Sequence, residues 1–308
     1  MCITADIAEE AKAYETLTAA LSGDRDLAYS TLKASGADLS SPFPSYSDTI
    51  SHITGLTRES LDSIWRDVRE AFDRERIDYS IIPDTSSLFP ESLKTEPVHY
   101  LYALGDTQLL SKYKVAFLGT GMPSLQGKED TLKAVRCASL NPRTAVIAPL
   151  DTGTSAFALS ASLKSGCPAI AVLSSFVSKC PSEQLMELMG EIYKRGLIIS
   201  EFSPSQKREK WHVVYRNKTI AGIADAAFLS EEKDGGPSWA IFDGIQKKGS
   251  PVAISKAASR NPNYKWCLDR TQKGAFEIPK CDNIKKILPS QRKRNKEVFA
   301  DLTPDLFS

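Results

Sequence analysis

Apolar positions return every three or four residues through the first eighty residues of the chain. Ala8, Ala11, Leu17 and Leu21 keep helical spacing, and Asp24 to Leu32 predicts a second short helix closed by Gly36. Ser41-Pro42-Phe43-Pro44-Ser45 is a break. Beyond it, Asp48 to Leu56 leads into a helix from about Arg58 to Arg76, whose Leu61, Ile64, Trp65, Val68 and Phe72 form one buried face. Residues 1–80 therefore predict an all-helical domain, used for packing or for contact with a second copy. From Val115 the pattern changes to short apolar runs alternating with helical stretches. Strands are predicted at Val115–Leu118, Thr144–Ala148, Ala169–Leu173, Leu197–Ser200, Ala226–Ser230 and Val252–Ser255, with helices near 125–138, 154–164, 183–195, 217–224 and 237–248. This alternation predicts an α/β fold, a Rossmann-like doubly wound and mainly parallel sheet over residues 81–280. Its ligand crevice should lie where Gly119, Ala148, Ser174, Ser200 and Glu231 end their strands on one rim.

Residues 281–308 differ. Lys285, Lys286, Arg292, Lys293, Arg294 and Lys296 stand against Glu297, a basic C-terminal tail that reads as solvated or as a nucleic-acid contact. Over its 308 residues the chain has a formal net charge of +1, so any nucleic-acid site must be a local patch. Cys2, Cys137, Cys167, Cys180, Cys267 and Cys281 are scattered without a CxxC pair, which is neither a zinc site nor a disulfide frame and reads as buried free thiols. With no basic leader and no run of 18 apolar residues, a cytoplasmic protein without membrane contact is expected. Neither a metal nor a cofactor is expected.

The densest chemical signal is Val115-Ala116-Phe117-Leu118-Gly119-Thr120-Gly121-Met122-Pro123-Ser124, a buried strand breaking into a glycine turn and then a helix. Such a turn can aim amide N–H groups at a phosphate, and a plain tight turn reads equally well. The spacing is not GxGxxG and no Walker lysine follows. Upstream stand Phe89-Pro90-Glu91-Ser92-Leu93 and Tyr100-Leu101-Tyr102-Ala103-Leu104-Gly105-Asp106. Downstream stand Leu197-Ile198-Ile199-Ser200-Glu201-Phe202 and Tyr215-Arg216-Asn217-Lys218-Thr219-Ile220-Ala221-Gly222. In this order, from about Ile82 to Ser255, the chain resembles the DNA-processing protein A family (DprA, also called Smf), single-stranded-DNA binders that load recombinase during natural transformation.

That resemblance implies a non-enzymatic protein that binds single-stranded DNA, with a RecA-type recombinase partner and a homodimer. It further implies that the helical domain is like a sterile-alpha-motif or helix-hairpin-helix module. The family's Arg-Asn-Arg motif lines its phosphate pocket, and Arg216 and Asn217 match it while Lys218 replaces the third residue. A helix starting near Asn217 would add free N–H groups and a positive dipole end, although Asn217 as a simple N-cap reads as well. The family's first turn ends in an Arg where this chain has Gly121. Its second loop is represented around Gly153, and its third by Gly235-Gly236-Pro237-Ser238. Candidate phosphate contacts are thus Gly119, Thr120, Gly121, Ser124, Gly153, Thr154, Arg216, Asn217, Lys218, Gly235 and Gly236, with bases turned toward Trp211 or Tyr215.

Two other readings stay open. Asp151 and Glu201 both end strands on the expected rim, and a carboxylate pair there suits a nucleotide-processing hydrolase. The PGGxGTxxE run of the lonely-guy-type phosphoribohydrolases is missing, however. The alternative is a sensor that binds one nucleotide and signals to the helical domain. His212 beside Trp211 reads as a surface pair or as a base-stacking ring.

Overall fold

The computed structural model describes residues 5–261, 264–278 and 281–290. Four helices come first: α1 (Ala5–Ala20), α2 (Arg25–Ala34), α3 (Ser47–Thr54) and α4 (Arg58–Arg74). Their starts follow local chemistry. Asp24 caps α2 by accepting from the Leu27 N–H, and Thr57 caps α4 by accepting from Ser60. Gly55, at a φ of 73°, closes α3 in the left-handed conformation that glycine tolerates best.

The rest of the chain builds one sheet of nine strands. These are β1 (Ser80–Pro83), β2 (Tyr100–Gly105), β3 (Tyr113–Leu118), β4 (Thr144–Pro149), β5 (Ala169–Val172), β6 (Leu197–Ser200), β7 (Ala226–Leu229), β8 (Val252–Ser255) and β9 (Phe276–Ile278). Their order is β1-β2-β6-β5-β4-β3-β7-β8-β9. All neighbours from β6 to β9 run parallel, whereas β1 and β2 add antiparallel at one side. The six strands expected from the sequence all form, and their apolar runs are buried on both faces as helix-covered parallel strands require.

Connecting helices are α5 (Leu125–Ser139), α6 (Thr154–Lys164), α7 (Met186–Arg195), α8 (His212–Ile223), α9 (Ser238–Lys247) and the short α10 (Lys256–Ser259) and α11 (Trp266–Gln272). One sheet face packs Ile147, Ile170 and Ile199 against Ile220, Ile223, Phe242 and Ile245 of α8 and α9. On the other face, Val115, Phe117 and Phe228 meet Ala134 and Val135 of α5. Farther along that face, Tyr102, Leu104 and Ile198 meet Leu17, Leu61, Trp65 and Phe72 of the N-terminal helices.

The C-terminal segment departs from the solvated tail expected from its charges. Residues 281–287 form a 3-10 helix in which Ile284 and Ile287 are buried against α5 and the sheet. Tyr113 Oη donates to the Ile287 carbonyl at 2.9 Å, and Asn141 Nδ2 to that of Pro289 at 3.0 Å. The apolar residues prevail over the surrounding lysines because a 3-10 turn sends the two isoleucines inward while Lys285 and Lys286 stay exposed. Arg292, Lys293, Arg294 and Lys296 lie outside the described residues.

Candidate nucleic-acid interface

Parallel strands β3 to β7 end on one rim, so the loops after them converge there as the sequence implies. The first glycine turn is held by backbone bonds. Thr120 N donates to the Glu231 carbonyl at 2.7 Å, while Thr154 donates to the Thr120 carbonyl through its N at 3.1 Å and its Oγ1 at 3.0 Å. Gly153 has a φ of 76°, and a Cβ there would stand 2.4 Å from the backbone of Gly121. Gly119 is as restricted, since a Cβ would meet Thr154 Oγ1 at 2.5 Å. Gly121 itself is exposed, and a Cβ would find open space. Gly119, Thr120, Gly121, Gly153 and Thr154 thus form one contiguous pair of turns.

Arg216 and Asn217 face this pair. Arg216 Nη1 lies 3.3 Å from Asp151 Oδ2, and its Nε and Nη2 donate to Asn217 Oδ1 at 3.2 and 3.1 Å. Asn217 Nδ2 donates to the Pro237 carbonyl, and Ser238 Oγ to that of Gly119 at 2.9 Å. Burial pulls the Arg216 guanidinium pKa below its ordinary value, while Asp151 acts against the shift. The guanidinium thus ties the loop after β4 to α8, while Asn217 ties α8 to the loop before α9 and Ser238 ties that loop to the first glycine turn. Lys218 does not join it. Its exposed ammonium lies 5.6 Å from the Tyr215 ring, beside a small crevice lined by Leu93, Glu96 and Glu201.

A correction concerns α8. It begins at His212, one residue after Trp211, so Asn217 sits in its second turn and offers no free helix-end N–H groups. Nothing local marks that start, because Trp211 makes no side-chain cap bond.

The helix ends expected to receive phosphate hold the chain's own carboxylates. Ser124 caps α5 through Gly127 N at 3.1 Å, and the Ser124 N–H donates to Glu231 Oε2 at 2.9 Å. Tyr264 Oη donates to the other Glu231 oxygen at 3.0 Å. At α9, Glu232 accepts from Lys233 N at 3.1 Å and Ser238 N at 3.2 Å, and a Cβ on Gly236 would collide with it. Gly235 stands apart at a φ of 70° in open space. Carboxylates at helix N-termini satisfy the dipole that a phosphate would otherwise meet.

The loop between β6 and α8 supplies what the glycine turns lack. Lys207, Arg208 and Lys210 are exposed there, and Trp211 keeps 49% of its surface in solvent. Spacing alone did not single out these three cations, because Glu209 breaks the run and only the fold places it on the rim. Trp211 stands edge-on to Tyr215 at 5.2 Å and to His212 at 4.2 Å. His212 is neither a surface residue nor a free ring. It is buried and stacked on Phe202 at 3.9 Å, and burial lowers its pKa.

Asp151 and Glu201 do not form a free acid pair. Asp151 meets Arg216, whereas Glu201 is buried between Arg25 of α2 and Thr219 Oγ1, which donates to it at 2.7 Å. Among the described residues no group of three His, Cys, Asp or Glu side chains could hold a metal ion.

Glycine turns at the C-terminal rim of a doubly wound sheet, clamped by a buried Arg-Asn pair, define a Rossmann-like protein of the DprA type. The chain belongs to the DNA recombination-mediator protein A family, whose family model matches residues 80–289. It is 25% identical over 221 residues to the DNA processing protein DprA of Bacillus subtilis, spanning 71% of this chain and 74% of that one. The X-ray structure of DNA processing protein A from Streptococcus pneumoniae shares the fold, with a TM-score of 0.68 at 17% identity over 94% of this chain and 100% of that one. A Helicobacter pylori DNA processing protein A, described for its single-stranded DNA binding mode, matches with a TM-score of 0.60 at 22% identity, over 68% of this chain and 96% of that chain.

Proposed function

We propose that the chain binds single-stranded DNA across this rim and serves DNA processing in uptake and recombination without catalysing a reaction. The carrying observation is the loop of exposed Lys207, Arg208 and Lys210 leading into half-exposed Trp211. Cations that track phosphates beside a ring that stacks bases suit a single strand of any sequence. Family membership supports the reading, as does the single-stranded DNA binding mode described for the Helicobacter relative. Lys218 extends the cationic track along α8, while the glycine turns shape the rim and leave phosphate contact to side chains.

Asp151 and Glu201 each have a cationic partner, which favours a binding role over hydrolysis. Glu231 and Glu232 fill the helix ends that a mononucleotide phosphate would need, which favours a polymer over a single nucleotide. The family resemblance supports a recombinase partner and a homodimer, and a cytoplasmic location, expected from the sequence, belongs to the same proposal. No helix among the described residues is long and apolar enough to cross a membrane. The test is a mobility-shift titration with oligo-dT at two salt concentrations. A steep loss of affinity with salt is expected. Salt-insensitive, saturable binding of a mononucleotide, or release of base from a nucleoside monophosphate, would replace this reading with a sensor or a hydrolase.

A further inference from the structure

Large apolar side chains stand in solvent where α5 and α6 begin. Met122 keeps 91% of its surface exposed and Leu125, the first residue of α5, keeps 79%, while Phe157 near the start of α6 keeps 37%. Folding normally hides such residues, and an exposed group of them in one place marks a binding surface. They are in one place. Gly121 and Gly153 approach so closely that a Cβ on Gly153 would stand 2.4 Å from the Gly121 backbone, which sets the start of α5 beside the start of α6. Lys128 lies three residues after Leu125 on the same face of α5, and its Nζ stands 5.1 Å from the centre of the Phe157 ring. Met122 is held to the first glycine turn by its N–H, which donates to Thr120 Oγ1 at 3.3 Å.

Apolar side chains around one cation suit a nucleobase and its phosphate. Among the described residues Lys128 makes no ion pair, so its ammonium can meet a phosphate while Met122, Leu125 and Phe157 meet base faces. Three side chains expose far less than the ~800 Å² that each partner gives to a stable protein interface. Position favours the same occupant. Strand β6, which leads into the Lys207–Trp211 loop, stands three places from β3 in the sheet. At about 4.8 Å per strand that is a span of about 14 Å, or about four stacked nucleotides. Given the single-stranded DNA reading of the rim, on which this inference rests, we propose that Met122, Leu125 and Phe157 form a second base-binding patch. It holds bases about four nucleotides along the strand from those at Trp211, with Lys128 at their phosphate. Between the two stations the strand crosses the glycine turns.

The test uses the full chain and an oligo-dT of about eight nucleotides, intact or with its 5′ half or its 3′ half made abasic. Met122→Gln and Leu125→Gln are made together, and Phe157→Ala separately; the first two side chains are too exposed for the fold to depend on them. The parent should lose about 10-fold in affinity when either half lacks its bases, the scale of one lost base stack. Each patch variant should bind the intact oligonucleotide about 10-fold more weakly with the salt slope unchanged, and should no longer sense the bases of one half. Trp211→Ala should erase the sensitivity to the other half. A Met122→Gln, Leu125→Gln variant with parental affinity and parental sensitivity to both halves would overturn the patch and leave the rim intact. The same holds for a variant that binds DNA as the parent does but changes oligomeric state, which would make the patch a protein contact. The rim is read separately: a parental salt slope after Lys207, Arg208 and Lys210 are replaced by Gln, or a parent that binds no oligonucleotide, would overturn the rim reading and this inference with it.

Discussion

Replacing Lys207, Arg208 and Lys210 together by Gln should cut single-stranded DNA binding sharply without harming the fold. All three side chains are exposed, and Arg208 Nη1 reaches the Pro181 carbonyl at a long 3.4 Å. If each meets one phosphate, the slope of log affinity against log salt falls by about 0.7 per contact, or about 2 in total. Taken relative to 1 M salt, each contact then contributes about 0.7 log units at 0.1 M and about 0.5 at 0.2 M. The triple variant should bind oligo-dT about 100-fold more weakly at 0.1 M and about 30-fold more weakly at 0.2 M, with the parental melting temperature. Fluorescence-anisotropy titrations at four salt concentrations measure both quantities. A folded variant whose slope equals that of the parent would refute the placement of DNA on this loop, because side chains of that charge cannot touch phosphates silently.

Three other outcomes follow from the geometry. Gly121→Arg should tighten oligo-dT binding and steepen the salt slope by about 0.7, because a Cβ at Gly121 meets nothing and its φ is not positive; an unchanged slope in a stable variant would show that the turn faces away from the strand. Ile287→Ala should destabilise the protein by about 2–5 kcal/mol, as buried large-to-small changes do, although it lies in the basic segment; urea unfolding checks this, and a loss below about 0.5 kcal/mol would be a surface effect. His212 is held neutral by burial below its ordinary pKa of 6.5, so the unfolded chain takes up its proton first as pH falls. Stability from this group is therefore full above about pH 7 and declines below 6.5, and His212→Phe, which keeps the ring on Phe202, should flatten the melting-temperature profile between about pH 7 and 5.

The parallel core was legible because strands covered on both faces must be unbroken apolar runs, and Val115–Leu118 or Ala226–Leu229 admits little else. Strand β1 has four residues and β9 three, too short for any period to show. Strand β2 was visible as a motif but not as a strand, since its Tyr-Leu-Tyr-Ala-Leu run carries no polar alternation. At the site, the convergence of Gly119–Gly121, Gly153 and Arg216–Asn217 followed from strand order. The filling of the α5 and α9 ends by Glu231 and Glu232 did not, because no spacing rule says which acid will fold back onto a helix end. The start of α8 escaped for a related reason: Asn217 has cap chemistry and Trp211 has none, yet packing of His212 on Phe202 carries the helix one turn further back.

The family match begins at residue 80, but the hydrophobic core does not. Leu17, Leu61, Trp65 and Phe72 share one cluster with Tyr102, Leu104 and Ile198, and the cation that neutralises Glu201 is Arg25. The helical segment and the sheet are therefore held as one cooperative unit. A fragment starting at residue 80 would present the Tyr102 and Leu104 side of the sheet to water and leave Glu201 without its counter-ion, so it should aggregate or bind a substitute helix. Heated intact, the protein should melt in a single calorimetric transition, with α8 and the N-terminal helices lost together.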